Sequence, residues 1–208
     1  MESHYFVANV QRALASRGYS PGAADGRFGP RTTDALHAFQ LAEGLSVSGI
    51  TAETLTALSV PPIQQPWLAM AWSLLGTAET VGDDDNPEIL SWANALQLHQ
   101  YKHDSIPWCG LFVAHCLQST GYAISPLPLS ARSWIGYGEP CPPQPPNGYY
   151  GSIVVLSRGL NPYQGHVGFR VGGVGDLVQV LGGNQGDAVS LRSYPASRLL
   201  ATRLPKIM

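Results

Sequence analysis

The segment Pro107-Trp108-Cys109-Gly110-Leu111-Phe112-Val113 puts a cysteine where its chemistry is favoured. Pro107 stops any preceding helix, and apolar residues then recur at Leu111, Phe112, Ala114, Cys116 and Leu117. This spacing predicts a helix that starts near Trp108 and runs to Gly121, with Cys109 in its first turn. Unpaired backbone N–H groups and the helix dipole stabilise a thiolate there. Cys116 lies deeper on roughly the same face and lacks that advantage. The competing reading is packing alone, because cysteine is among the most buried residue types.

A thiolate nucleophile needs a base. His166 follows Gly165 and opens the alternating strand His166-Val167-Gly168-Phe169. His166 and Gly168 share one face of such a strand, Val167 and Phe169 the other. Gly168 is expected to leave room for a helix end. His99 and His103 sit in a polar stretch, and His115 is mid-helix, off the Cys109 face. The base in turn needs an orienter. The next strand ends Val180-Leu181-Gly182-Gly183-Asn184-Gln185, and Asn184 can accept from an imidazole N–H. Gln179 and Asp187 are its rivals, and Asn184 also reads as a plain turn residue after two glycines. The Cys109 N–H is the expected oxyanion donor. Glu79, Asp83, Asp84, Asp85 and Glu88 have the charge to invite calcium. They lack the full EF-hand loop pattern and read as a solvated loop.

The elements that must position these residues follow from periodicity. Residues 1–60 form a small helical unit. Val7, Val10 and Leu14 make one amphipathic stripe, and Gly18 ends that helix. Thr32 or Thr33 is expected to cap a second helix carrying Leu36 and Phe39, closed by Gly44. Leu55 and Leu58 mark a short third helix. Residues 61–66, with Pro61, Pro62 and Pro66, read as a linker. Residues 67–208 open helically, with one stripe at Trp67, Met70, Ala71, Leu74 and Leu75 and another at Ile89, Trp92, Ala93 and Leu96. Pro140, Pro142, Pro143, Pro145 and Pro146 crowd a loop around Cys141. Short strands follow at Ser152–Ser157, His166–Gly172, Leu177–Leu181, Val189–Arg192 and near Leu199–Leu204. Helices followed by an antiparallel meander give an α+β fold.

Composition narrows the partners. The chain has 208 residues, of which 12% are charged, with a formal net charge of −2. Residues 1–60 carry four basic and five acidic groups, and 61–208 carry eight and nine. Neither half has the basic patch that nucleic acid or an anionic membrane requires. No apolar run is long enough to span a bilayer. The N-terminal residues lack the basic-then-apolar pattern of a secretory signal, so synthesis in the cytoplasm is expected. Three cysteines, an odd number without C-x-x-C spacing, argue against a disulfide framework or a zinc site.

Two resemblances join these readings. Residues 7–58 resemble the type 1 peptidoglycan-binding domain through Val10-Gln11-x-x-Leu14, Gly18-Tyr19, Asp25-Gly26-Arg27-Phe28-Gly29-Pro30-x-Thr32, Ala35-Leu36-x-x-Phe39-Gln40, Gly44-Leu45, Gly49 and Thr54-Leu55. The resemblance implies a three-helix module that holds cell-wall glycan or stem peptide. It places Asp25, Gly26, Phe28, Gly29 and Thr32 beside the binding groove. Residues 67–204 resemble papain-like cell-wall hydrolases of the CHAP and NlpC-like group. The matching pieces are Gly76-x-x-Glu79, Asn86-Pro87, Pro107-Trp108-Cys109, Ala131-x-Ser133-Trp134, Gly165-His166-Val167-Gly168-Phe169 and Leu181-Gly182-Gly183-Asn184-Gln185. CHAP members often carry Glu-x-Asn in that last region; here the glutamate position reads Gly182.

The resemblance implies a papain-like domain whose helices pack on an antiparallel sheet. Cys109 is then the nucleophile, His166 the base and Asn184 the orienter, with Trp108 beside the substrate. The expected enzyme is a metal-free, cofactor-free and monomeric peptidoglycan hydrolase. It cuts an amide of the stem peptide, as an endopeptidase or an N-acetylmuramoyl-L-alanine amidase. It acts in the periplasm or wall of a target bacterium, as a phage endolysin or as a type VI secretion effector countered by an immunity protein. The alternatives are a non-catalytic wall-binding protein on a decayed hydrolase fold and a cysteine transferase.

Overall fold

The computed structural model describes residues 3–82, 84–141 and 149–208. The chain divides into two units, Met1–Leu75 and Gly76–Met208. Asp83 of the acidic cluster and Pro142, Pro143, Pro145 and Pro146 of the expected loop lie outside the described residues.

In the first unit, α1 (Ser3–Ser16), α2 (Pro30–Ala42) and α3 (Ala52–Leu58) are the helices expected from the apolar spacing. Val7, Val10, Leu14, Leu36, Phe39, Leu55 and Leu58 are buried together in its core. Gly18 ends α1 at a φ of 86°, while the Tyr19 N–H donates to Leu14 O at 3.1 Å. Neither Thr32 nor Thr33 caps α2. Gly29 is the N-cap, and Pro30 takes the first helical position, where its missing N–H costs nothing.

A fourth helix, α4 (Pro66–Ser73), carries the stripe expected to open the second segment. It packs within the first unit instead. Trp72 is fully buried, with its ring 5.0 Å from that of Phe6 and 6.4 Å from that of Phe28. The Ile50 N–H donates to Trp72 O at 2.8 Å, and a Cβ at Gly49 would overlap that carbonyl. Prolines at 61, 62 and 66 marked a break in the helical pattern, but the apolar face beyond them packs back on α1 and the loops.

The second unit is α+β. Its helices are α5 (Pro87–Ala95) and α6 (Cys109–Gln118). Its strands are β1 (Glu139–Pro140), β2 (Ile153–Ser157), β3 (Gly165–Gly172), β4 (Leu177–Gly182), β5 (Ser190–Pro195) and β6 (Leu199–Leu204). They form one antiparallel sheet in the order β1-β6-β2-β3-β4-β5.

Each sheet face has its own core, as strand alternation requires. On one face Phe169 meets Phe112 of α6, centroids 6.0 Å apart, and Phe112 meets Trp92 of α5 at 6.2 Å. On the other, Val154, Leu156, Val178 and Val180 pack with Tyr194, Ala196 and Leu199. The first residues of the unit extend the sheet beyond β5. Ala78 bridges Ala188, and the Val189 N–H donates to Thr77 O at 2.7 Å.

Candidate functional site

Cys109 is the first residue of α6, and Trp108 is its N-cap. Its thiol is buried, 5% exposed, and unpaired. Burial pushes the thiol pKa up, while the backbone N–H groups of Val167, Gly110 and Cys109 itself, and the charge of Arg158, pull it down. The sulfur therefore lies against the β3 backbone at Val167, the residue that follows His166. Cys116 sits deeper in α6, and burial raises its thiol well above the ordinary range with only one opposing backbone contact. Burial thus raises both thiols, and the helix start gives Cys109 more opposing N–H contacts than Cys116 has.

His166 is 6% exposed and lies across from Leu156 in the β2–β3 ladder. Burial lowers its pKa to about 4, against a hydrogen bond to Gln185 that raises it. That bond joins His166 Nε2 to Gln185 Oε1 at 3.0 Å. The Gln185 amide nitrogen donates to Ser190 O and, at 3.4 Å, to Val180 O. Its oxygen also accepts from the Tyr194 hydroxyl at 2.9 Å. A carbonyl oxygen fixed in this way only accepts, so neutral His166 carries its proton on Nε2 and its lone pair on Nδ1.

This arrangement corrects the expected orienter. Asn184 does not meet the ring. It adopts a left-handed φ of 54° and donates through Nδ2 to Glu79 Oε1 at 2.6 Å. Asparagine tolerates that backbone region, and the turn it makes directs the next side chain, Gln185, under the sheet. Gln179 and Asp187, the rivals, do not bond the ring either. Gln179 lies opposite Ser193 in the β4–β5 ladder, and Asp187 has a φ of 60° and gives its carbonyl to the Glu79 N–H at 2.8 Å.

Glu79 takes a place that its acidic neighbours concealed. Its Oε1 also accepts from Trp108 Nε1 at 2.7 Å. One carboxylate oxygen thus ties the N-cap of the Cys109 helix to the loop that carries Gln185. Trp108 is fully buried in this arrangement. Two other carboxylates of the cluster are engaged as well. Asp85 accepts from the Asp104 N–H at 2.8 Å and pairs with His103 at 3.0 Å. Glu88 accepts from the Thr77 hydroxyl at 3.3 Å. Among the described residues no group of three or more His, Cys, Asp or Glu side chains is gathered as a metal site.

Glycines set the spacing, though not the one expected. A Cβ at Gly168 would strike Val180 and Leu181 O of β4, so this glycine serves strand packing. Gly183 admits the helix end: a Cβ there would lie 2.5 Å from the Trp108 ring and 2.6 Å from Phe112 Cβ. Gly110 gives similar clearance to the Pro128 carbonyl.

In the first unit, Gln11 organises the Asp25–Thr32 loop from beneath. It is 2% exposed and donates to Arg27 O at 2.9 Å, to Thr32 Oγ1 at 3.1 Å and to Asp25 Oδ1 at 3.3 Å. It accepts from the Gly26 N–H at 3.0 Å. Thr32 is buried and donates to Pro21 O at 3.1 Å, so its hydroxyl faces inward. Gly26 is also buried, Phe28 and Gly29 are half-buried, and Asp25 is exposed, its carboxyl held below the usual range chiefly by the Arg27 N–H.

No curated protein and no solved structure matches this chain. Residues 3–58 match the family model described as "Putative peptidoglycan binding domain", which supports peptidoglycan as a partner and cell-wall association for the first unit.

Proposed function

We propose that the chain is a modular peptidoglycan hydrolase, in which the first unit holds the wall and the second cleaves an amide of the stem peptide or its junction with the sugar. The observation that carries this reading is a helix-start cysteine held against the β3 backbone at Val167, next in the chain to a histidine whose tautomer is fixed by Gln185. Burial keeps both groups neutral at rest. Cys109 Sγ attacks the scissile carbonyl as its proton passes to His166 Nδ1. Backbone N–H groups near the sulfur, that of Cys109 included, receive the oxyanion. His166 then protonates the leaving amine, and a thioester remains on Cys109. His166 accepts a proton from water, whose oxygen attacks the thioester and releases the acid and the free thiol.

The test is muropeptide mass spectrometry on purified walls. Cys109→Ala is expected to abolish product release while wall co-sedimentation persists. Unimpaired cleavage by that variant ends the nucleophile assignment.

The near-complete burial of Cys109 and His166 favours a second reading, a wall-binding protein on a hydrolase-like fold without turnover. It predicts equal, slow labelling of Cys109, Cys116 and Cys141 by iodoacetamide. Two delivery routes fit the hydrolase. A neighbouring holin-like gene indicates an endolysin, and a small gene with a signal peptide indicates an injected effector with its immunity protein.

A further inference from the structure

Arginines gather on the His166 side of the candidate site. β2 ends at Ser157, which pairs with Gly165, the residue before His166. Arg158 is the next residue in the chain and is exposed. Arg198 donates to Ser157 O through Nε at 2.9 Å and Nη2 at 2.6 Å. Its guanidinium carbon lies 5.0 Å over the Tyr194 ring. Tyr194 is the residue that bonds Gln185, and its ring centroid is 5.5 Å from that of His166. Arg192 precedes Tyr194 by two residues on β5, hence on the same face, and is exposed.

Three arginines thus converge on one end of the sheet. All three act electrostatically on both His166 and Tyr194. Among the described residues the single ion pair is His103–Asp85, so no described carboxylate pairs with any of the three. Residues 61–208 carry only eight Lys and Arg side chains. Gathering three of them without a counter-charge is repulsive unless an anion joins them.

We propose that Arg158, Arg192 and Arg198 form a carboxylate-recognition rim beside Cys109 and His166, selecting peptides with a free carboxylate close to the scissile amide. The proposal rests on the hydrolase reading for the role of Cys109. Arg198 is the fixed member, spent partly on Ser157 O and Tyr194. Arg158 and Arg192 are the exposed members, and guanidinium groups suit carboxylates in a bidentate fork.

The test uses two thiol reagents of similar shape and different charge, iodoacetate and iodoacetamide, on the full-length chain, with modification read at Cys109 by peptide mapping. A free cysteine peptide is measured alongside. At low salt the iodoacetate-to-iodoacetamide rate ratio at Cys109 is expected to exceed that of the peptide by roughly tenfold. The excess should vanish in Arg158→Gln/Arg192→Gln, and in the parent protein at about 1 M salt, where the screening length is ~3 Å. The salt titration carries the test if the double variant does not fold. A ratio equal to the peptide's, or one unchanged by variant and salt, overturns the rim while Cys109 remains a reactive thiol. Equal slowing of both reagents in the variant also overturns it, assigning the arginines to the sulfur alone. Labelling of Cys109 by neither reagent overturns the nucleophile reading and the rim with it.

Discussion

Gln185 Oε1 stands 3.0 Å from His166 Nε2, and the Gln185 amide nitrogen is turned away onto two backbone carbonyls. The ring is held by an acceptor that has no freedom to become a donor. Gln185→Ala is expected to lower kcat for wall cleavage by roughly 10²-fold with little change in KM, because it releases the base without touching the wall-binding unit. Asn184→Gly, which keeps the left-handed turn, should cost less than about tenfold. Muropeptide release measured against wall concentration separates kcat from KM. Equal losses in the two variants would return the orienting role to the turn as a whole.

The Glu79 carboxylate gives a stability prediction. Glu79→Ala leaves the buried indole N–H of Trp108 and the Asn184 amide without their acceptor, a loss of about 1–3 kcal/mol. Glu79→Gln keeps an oxygen at the same place and should retain most of that stability. Urea unfolding of the two variants reports the difference.

Gly183 predicts a steric effect with an internal control. Gly183→Ala drives a methyl into Trp108 and Phe112, and overpacking of this kind costs about 1–3 kcal/mol. Gly136→Ala meets nothing within 4 Å and should be nearly neutral. Thermal unfolding of both proteins checks the contrast.

The pH dependence follows from the buried histidine. The pKa of His166 falls from an ordinary 6.5 to about 4 on folding, so between these values the unfolded chain binds more protons than the folded one. Stability is therefore greatest above pH 6.5 and declines as pH falls toward 4. His115, stacked on Trp92 and also lowered to about 4 by burial, adds to the same slope. His166→Gln should flatten the slope between pH 6.5 and 4 in denaturant titrations. In cleavage assays, the need for a neutral base puts the acid limb of kcat/KM near pH 4.

The positions of Cys109 and His166 were legible because local rules place each residue. Proline before Cys109 and the apolar spacing after it define a helix start, and alternation after Gly165 defines the strand of His166. Gln185 and Glu79 were not legible as partners. Asn184 and Gln185 are adjacent polar residues after two glycines, and only the left-handed backbone at Asn184 decides which one turns inward. Glu79 is 105 residues from Asn184 and sat among acidic neighbours that obscured its inward role. The α2 cap failed for a similar reason. Thr32 has the chemistry of a cap, but buried Gln11 claims its hydroxyl from another helix.

The place of α4 bears on how modules of this kind can be exchanged. A graft made at the proline-rich stretch would strip Trp72 from Phe6 and Phe28 and carry an apolar helix into a host with no groove for it. The joint that preserves both parts falls between Leu75 and Gly76. It leaves no spare residues on the downstream side, because Gly76 already bonds Val189 and Glu79 follows three positions later. A chimera with a foreign wall-binding module must therefore begin its second unit at Gly76. One that begins a few residues later forfeits the clasp on the Cys109 helix along with the seam.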